Sequence, residues 1–224
     1  MMQVAIDGPA SAGKSTVAKQ VAQKLGFVYI DTGAMYRTCT LIAQLNGIDF
    51  SDEERLLQKI RQSKIVFRTQ DGEQKVYLDG TDVTAAIRTP KITDNVSQVS
   101  ALAKIRYQMV KQQRDMAGEM NVIMDGRDIG TTVLPHAEVK IFLVASVKSR
   151  AKRRLLDYAQ KGIKQNLTQI EQDLELRDFK DSHREVSPLK KADDAIEIDT
   201  TNMTIEQVVA TILDKIEKKS KKLI

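Results

Sequence analysis

Cysteine is scarce in this sequence, and the scarcity limits how the fold can be stabilised. Cys39 is the single cysteine among 224 residues, so an internal disulfide is excluded. This cysteine content is consistent with a reducing compartment. Cys39 lies in an apolar helical stretch, and we expect it to pack in the core.

Long apolar runs are also missing. No segment approaches the roughly 18 consecutive apolar residues that a membrane span requires. The first residues, Met-Met-Gln-Val-Ala-Ile-Asp, start a strand and lack the basic lead and apolar run of a secretory signal. We therefore expect a cytoplasmic protein without a membrane partner.

The charge is balanced rather than extreme. The formal net charge is +5, from 35 Lys and Arg against 30 Asp and Glu, which suits small anionic substrates without requiring nucleic acid. The Lys-rich end, Lys215–Lys222, has two interpretations: a nucleic-acid tail or a solvated helix end. We favour the helix end, and we expect a monomer that binds no nucleic acid.

Short apolar runs that end in polar or turn residues alternate with helical patterns, which predicts an α/β fold. The five runs are Val4–Asp7, Phe27–Asp31, Val122–Asp125, Val139–Ala145 and Ala195–Asp199. Such alternation predicts βαβ crossovers, and therefore a parallel five-stranded sheet with helices on both faces. Ligands of such sheets bind beyond the carboxyl ends of the strands.

Two helices can be assigned from their apolar stripes. Residues Lys14 to Leu25 have helical periodicity, and Gly26 stops it. A final helix spans about Thr204 to Lys218. Its expected buried stripe consists of Ile205, Val208, Val209, Ile212, Leu213 and Ile216.

The alternation is interrupted by a segment with a hairpin pattern. Lys64–Arg68 and Lys75–Asp79 flank an Asp71-Gly72 pair, which favours a tight turn, so we expect a small antiparallel β insert at about 63–90. The pattern Ser51 to Glu54 predicts a capping box for the helix before it. We treat residues 1–224 as a single domain.

A phosphate-binding loop follows the first strand directly. Gly8 to Ser15 reads G-x-x-x-x-G-K-S between a strand and a helix, which is the context that this motif requires. Loop amides and the helix N-terminus bind polyphosphate, so we expect ATP here with Mg²⁺ as cofactor. Lys14 would reach the β- and γ-phosphates and Ser15 would hold the metal. The expected cofactor-binding residues are Gly8, Pro9, Ala10, Ser11, Ala12, Gly13, Lys14, Ser15 and Thr16.

Charged side chains follow two other predicted strands. Thr32 opens a helix after the second strand, either as its N-cap or as a contact for an anion that Arg37 also binds. Asp125-Gly-Arg-Asp128 follows the third strand, at the edge where ligands bind. Asp125 is placed to hold Mg²⁺ through water.

Two arginine-rich helical faces add further positive charge. Arg150, Arg153 and Arg154 share one face, and Arg177, Asp181 and Arg184 share another. They are either solvated faces with local ion pairs, such as Arg177 with Asp181, or clamps for phosphate. We favour clamps, because phosphoryl transfer is catalysed mainly by positioning and charge neutralisation. We expect His136 and His183 to be incidental.

Three functions remain compatible with these residues. The sequence lacks the Asn-Lys-x-Asp run of a GTPase, and motor or DNA-linked ATPases are usually longer, which favours a compact kinase. Its acceptor is either a pyrimidine nucleoside monophosphate or another small anion, such as shikimate or a coenzyme precursor. The third hypothesis is a nucleotide switch or RNA-binding module that uses the basic tail.

The motifs together resemble the bacterial cytidylate kinase family over essentially the whole chain. The most specific segments are Ile6–Ser15, Asp31–Arg37 and Asp125–Thr131. Further matches are Ile87–Thr89, Ser97–Val99, Lys140–Leu143, Arg177-Asp178, Asp181-Ser182 and Ser187–Leu189. The resemblance implies ATP-dependent phosphorylation of CMP or dCMP, with the β insert inside a monophosphate-binding region at 35–110 and a short helical lid at 148–165.

The resemblance also implies residue roles. Ser97, Arg106 and Asp128 resemble the cytosine readers, and chemistry supports this, because a carboxylate accepts from the N4 amino group and arginine donates to N3 and O2. Arg37 and Arg127 resemble the acceptor-phosphate clamps. The remaining ribose and phosphate contacts are Thr32, Arg177, Asp181 and Arg184. The groups expected to act in the transfer itself are Lys14, Arg127, Arg154 and Arg177.

Overall fold

Two units make up the chain in the computed structural model, which describes residues 1–70, 73–160 and 162–221. The first unit is Met1–Tyr29 with Ala117–Ile224, and the second unit is Ile30–Met116. The strands are β1 (Gln3–Asp7), β2 (Val28–Asp31), β3 (Ile65–Gln70), β4 (Glu73–Leu78), β5 (Thr81–Asp82), β6 (Val122–Gly126), β7 (Val139–Val144) and β8 (Ile196–Asp199). The helices are α1 (Lys14–Leu25), α2 (Thr32–Leu45), α3 (Glu53–Gln62), α4 (Pro90–Ala101), α5 (Ala103–Ala117), α6 (Val147–Gln160), α7 (Leu167–His183) and α8 (Ile205–Ser220).

A five-stranded parallel sheet in the order β2-β6-β1-β7-β8 confirms the predicted α/β fold. Strand β1 is central, with Ile6 opposite Asp125 on β6 and opposite Ile141 on β7. Each of the five apolar runs singled out in the sequence forms one of these strands. The carboxyl ends of β1 and β6 are therefore neighbours, and the residues that follow them come together at one edge.

The core of the first unit forms where α1 and α8 pack on the sheet. Val17 and Val21 of α1 and Val209 and Ile212 of α8 are buried in one cluster with the strand residues. Gly26 ends α1 with φ of +65°, as its sequence predicts. The prediction for Ile205 was wrong: its side chain is 44% exposed, because it is the first residue of α8 and lies beyond the buried part of the stripe.

The second unit contains the predicted antiparallel insert. Strands β3, β4 and β5 form a three-stranded sheet in which Phe67 pairs with Val76. The predicted turn residues Asp71 and Gly72 lie outside the described residues. Cys39 is fully buried in the unit's core, as expected, and burial raises the pKa of its thiol to about 12. The proposed monophosphate-binding region, residues 35–110, lies within this unit.

The predicted capping box of α3 was wrong. Asp52 is the N-cap, and its Oδ1 accepts from the Arg55 amide at 3.1 Å. Ser51 lies one residue too early, and its hydroxyl donates instead to Asp49 Oδ1 at 2.6 Å. Aspartate caps as well as serine does, so the sequence pattern alone left the choice open. A capping box occurs at α8, between Thr204 and Gln207.

None of the helices described combines the length and the apolar character that a membrane crossing needs.

Candidate active site

The phosphate loop connects β1 to α1 and depends on glycine at two positions. A Cβ at Gly8, whose φ is +147°, would lie 2.2 Å from the Leu143 carbonyl oxygen of neighbouring β7. Gly13 has φ of +90° and forms the N-cap of α1. Both conformations are rarely available to residues with a side chain. The loop and the first turn of α1 therefore form a backbone cradle of the kind that binds phosphate.

Lys14 is the first residue of α1 and is buried beneath the loop. Its Nζ donates to the Pro9 carbonyl oxygen at 2.6 Å, which holds the side chain back along the cradle. Burial, helped by the charge of Arg127, lowers the pKa of the ammonium to about 7. Polyphosphate would offset this by favouring the charged form.

Ser15 and Asp125 lie beside the cradle and offer two oxygen atoms of the kind that bind hard metal ions. Ser15 Oγ donates to Asp125 Oδ2 at 2.8 Å, and Tyr29 Oη donates to Asp125 Oδ1 at 2.7 Å. Among the described residues there is no cluster of three or more His, Cys, Asp or Glu that could cage a metal. Two oxygen groups nevertheless fit Mg²⁺, which is commonly held by one or two protein groups together with water and phosphate.

Asp7 ends β1 and was not singled out from the sequence. Its carboxylate accepts from the amides of Ile129 and Gly130, at 2.8 and 2.7 Å. Burial raises the pKa of Asp7 to about 7, although the two amides partly oppose this. These bonds hold the π-helical turn Ile129–Val133 against β1, and thereby fix the segment that follows β6.

Four of the predicted substrate residues form two arginine–aspartate salt bridges at this edge of the first unit. Arg127 Nε donates to Asp181 Oδ2 at 2.9 Å, and Arg184 Nη2 donates to Asp128 Oδ1 at 3.3 Å. Burial alone would raise the pKa of Asp181, but Arg127, Arg177 and Arg184 together lower it. The sequence placed these residues on separate elements, and the fold brings them together.

Arg177 lies beside these pairs without joining them. Its buried Nε makes no hydrogen bond to any residue that the structure describes. The suggested local ion pair with Asp181 does not form within the described residues, because Asp181 pairs with Arg127 instead. Burial, reinforced by the charge of Arg127, lowers the pKa of Arg177 to about 10. A guanidinium whose buried Nε is an unused donor is suited to an anionic ligand.

The arginines of α6 point to different partners. Arg154 stacks over the Tyr158 ring at 4.6 Å and donates to its hydroxyl at 3.1 Å. Arg153 bonds to Thr200, and Arg150 bonds to the backbone of the phosphate loop. The shared helical face therefore does not give the three side chains a shared environment.

In the second unit, the predicted residues lie on α2, α4 and α5. Arg37 donates to Thr93 Oγ1 at 2.8 Å and to the Ile87 carbonyl at 3.3 Å. Arg106 is 1% exposed, donates to the Ser100 carbonyl at 2.9 Å and lies 5.1 Å from the centre of the Tyr36 ring. Ser97 is half-buried on α4.

Thr32 is the first residue of α2 and is buried, but it is not the N-cap. Asp31 caps the helix by accepting from the Ala34 amide at 2.8 Å, and it also faces Arg88 at 3.5 Å. The alternative that Thr32 serves as the cap was therefore wrong, because the preceding carboxylate takes that position.

Two lysines near the C-terminus each pair with an acid one helical turn earlier. Lys218 lies 2.8 Å from Asp214, and Lys221 lies 2.6 Å from Glu217. Both pairs have the i, i+4 spacing of solvent-facing helix pairs. The last predicted tail residue, Lys222, lies outside the described residues.

The parallel sheet, the cradle after β1 and the arginines at the same edge define a P-loop kinase. A solved gluconokinase from Sinorhizobium meliloti has a similar fold, with a TM-score of 0.52 and 13% identity over 99% of this chain and 95% of that one. At that identity the similarity shows the fold alone.

Sequence comparisons identify the family within that class. The model of the cytidylate kinase family matches residues 4–218. A cytidylate kinase from Lactobacillus johnsonii is 68% identical, covering 99% of this chain and 96% of the relative. One from Leuconostoc mesenteroides is 54% identical, covering 96% of each. The chain belongs to the cytidylate kinase family.

Proposed function

We propose that the phosphate cradle of the first unit binds ATP together with Mg²⁺, in order to phosphorylate CMP or dCMP. Transfer of the γ-phosphoryl group of ATP to these acceptors is the reaction of the family to which the chain belongs. The observation that carries the proposal is the cradle beside a set of arginines whose charge is suited to phosphate. The products are ADP and CDP or dCDP.

Within the cradle, the loop from Gly8 to Thr16 would hold the triphosphate through its backbone. Lys14 would bind the β- and γ-phosphates, and its charge would rise as they approach. Ser15 and Asp125 would hold Mg²⁺, directly or through water. When bound, this ion neutralises charge on the phosphate oxygens.

The transfer itself needs positioned positive charge rather than a nucleophilic residue of the protein. Arg127, Arg154 and Arg177 are the proposed groups that neutralise the transferring phosphoryl. The unused Nε of Arg177 supports its role, because a donor with no protein partner in the described chain is free to bind oxygen. Asp181 would hold Arg127 in position through their 2.9 Å contact.

The acceptor contacts are proposed for each unit separately. In the first unit, Asp128 would accept from the cytosine amino group while Arg184, with Arg127 and Asp181, contacts ribose and phosphate. In the second unit, Arg37 and Thr32 would bind the acceptor phosphate and ribose. Arg106 and Ser97 would read the base there, since a guanidinium donates to the N3 and O2 acceptors of cytosine.

A panel of nucleoside monophosphates tests the proposal. ADP release from ATP is measured in a coupled assay with CMP, dCMP, UMP, AMP and GMP, and with shikimate as a non-nucleotide acceptor. We expect release to require CMP or dCMP and to stop when EDTA removes Mg²⁺. Turnover confined to AMP, GMP or shikimate would contradict the base assignment, and turnover in EDTA would contradict the metal assignment.

A further inference from the structure

The buried Arg150 and the partly buried Asp178 hold the tip of the phosphate loop, and the proposed function gives neither of them a role. The Ala10 amide donates to Asp178 Oδ1 at 3.0 Å, and the Ala10 carbonyl accepts from Arg150 Nη1 at 2.9 Å. The same guanidinium nitrogen donates to Asp178 Oδ2 at 2.5 Å. Both backbone groups of one loop residue are thus taken by a single ion pair, which joins α6 to α7.

Packing and backbone conformation show that this part of the loop is held from outside. Ala10 is buried in a small cluster with Ala151 of α6 and with Ile170 and Leu174 of α7. The next residue, Ser11, has φ of +59°, a conformation that costs free energy for a residue other than glycine. Such a conformation persists only where its surroundings impose it, and the pair together with this cluster supplies those surroundings.

The ion pair also sets the net charge next to the cradle. A carboxylate bonded to the loop backbone would repel an incoming polyphosphate if it stood alone. Arg150, which is 5% exposed at its side chain and also donates to the Ala145 carbonyl, offsets that charge. Arg150 therefore both holds the loop backbone in place and neutralises the nearby negative charge, whereas Asp178 mainly holds the loop backbone in place.

We propose that Arg150 and Asp178 are positioning residues for the triphosphate: Asp178 fixes the Ala10 peptide, and Arg150 cancels the Asp178 charge beside the cradle. The inference rests on the proposed binding of ATP in this loop. It predicts an asymmetry, because loss of Arg150 leaves a partly buried, uncompensated carboxylate beside the cradle, whereas loss of Asp178 leaves a cation near the phosphates.

The test compares ATP affinity by calorimetry for Arg150→Met, Asp178→Ala and the double variant. We expect Arg150→Met to weaken ATP binding by roughly 30- to 100-fold, because the partly buried carboxylate left without its partner repels the phosphates. Asp178→Ala should weaken it by only about 3- to 10-fold: the variant loses the hydrogen bond to the Ala10 amide and the ion pair, but the guanidinium charge left behind favours phosphate. The double variant should bind ATP more tightly than Arg150→Met.

A purely structural pair would give a different pattern. In that case the thermal stability of the three variants would fall while the Kd for ATP stayed within about twofold of the wild type, and the inference would be overturned. A double variant that binds ATP no better than Arg150→Met would overturn it too. At saturating ATP, the KM for CMP should remain within about threefold of the wild type, because the pair bonds to Ala10 of the phosphate loop and to the Ala145 carbonyl, neither of which is a proposed acceptor contact.

Matched controls lie on the same two helices. Lys152→Met on α6 and Asp173→Ala on α7 remove exposed charges of the same signs, and both should leave ATP affinity unchanged. If Arg150→Met does not fold, Arg150→Lys is measured instead, because lysine keeps the charge but lacks the planar guanidinium that makes several hydrogen bonds at once. We expect this variant to bind ATP about 3- to 10-fold more weakly, with the KM for CMP unchanged. Unaltered ATP affinity in that variant overturns the inference.

Wild-type measurements keep this test separate from that of the proposed function. If wild type binds ATP but releases no ADP with CMP, the acceptor assignment fails, and the variants still decide the role of the pair. If wild type turns over CMP and the variants bind ATP equally well, only the inference about the pair fails.

Discussion

The two units hold their candidate functional side chains in different ways. In the first unit, charged groups bind one another, as in the contacts of Arg127 with Asp181 and of Arg184 with Asp128. In the second unit, Arg37 donates to a hydroxyl and a carbonyl, and Arg106 donates to a carbonyl and lies over an aromatic ring. The contacts named here join opposite charges in the first unit and join an arginine to neutral groups in the second. The comparison teaches that a fold can position arginines either by ion pairs or by bonds to uncharged groups.

Lys14 gives the largest expected effect and tests the first unit at its centre. Lys14→Met should lower kcat on the order of 10³-fold, because a buried cation that meets the transferring phosphates is lost. Initial rates at saturating ATP and CMP measure this, and a thermal melt shows that the variant is folded. A loss below about tenfold would remove Lys14 from the proposed machinery.

Asp128 and Arg106 compare the two units directly, since one proposed cytosine contact lies in each. Asp128→Ala and Arg106→Ala should each lower kcat/KM for CMP by roughly 10- to 100-fold, the discrimination expected from one base contact. The Kd for ATP should change little in either variant. Equal losses with CMP and with a purine monophosphate would contradict base reading.

Asp128→Ala should also lower stability, because it deprives the buried Arg184 guanidinium of a carboxylate partner. Asp173→Ala, an exposed change on α7 of the same unit, removes a carboxylate of the same charge and should cost little. Urea titration should show the larger fall in unfolding free energy for Asp128→Ala. Equal falls would mean that the contact with Arg184 does not stabilise the first unit.

The pH dependence of stability provides a signed test of the Lys14 environment. Burial lowers the pKa of the native Lys14 side chain from 10.5 to about 7, so between these values the unfolded chain carries a proton that the native protein has released. Stability therefore rises with pH across this window. The unfolding free energy of wild type minus that of Lys14→Met should therefore increase from pH 7 to pH 10. Lys24→Met, an exposed change on the same helix, should show no such growth.

Local motifs account for what the sequence predicted in the first unit. Gly8 to Ser15 and Asp125 to Asp128 are contiguous, and each follows a strand whose apolar run is plain. Asp7, Tyr29 and Asp178 were missed because their partners are remote: Gly130, Asp125 and Ala10 lie 123, 96 and 168 residues away in sequence. No local pattern marks such contacts.

In the second unit, the sequence predicted the local structure better than it predicted the functional side chains. The β insert was predicted from a hairpin pattern, and Arg37 was predicted as an anion contact from its place in the helix after the second strand. Arg106 sits on an ordinary helix and was assigned from the family resemblance. Helix starts are also ambiguous there, because Ser51 and Asp52 are both good caps and only the surrounding contacts choose between them.

The choice between Ser51 and Asp52 as helix cap gives the smallest expected effect, and it tests the second unit at residues that have no proposed contact with a substrate. Asp52→Ala should lower the unfolding free energy by about 1 kcal/mol, because it removes the acceptor for the Arg55 amide at the start of α3. Ser51→Ala should cost at most about half as much, since it loses only an exposed hydrogen bond to Asp49. Urea unfolding curves of the two variants measure the difference. Equal losses would mean that the loop from Asp49 to Asp52 stabilises the helix as a unit, and a larger loss for Ser51→Ala would restore the cap that the sequence pattern favoured.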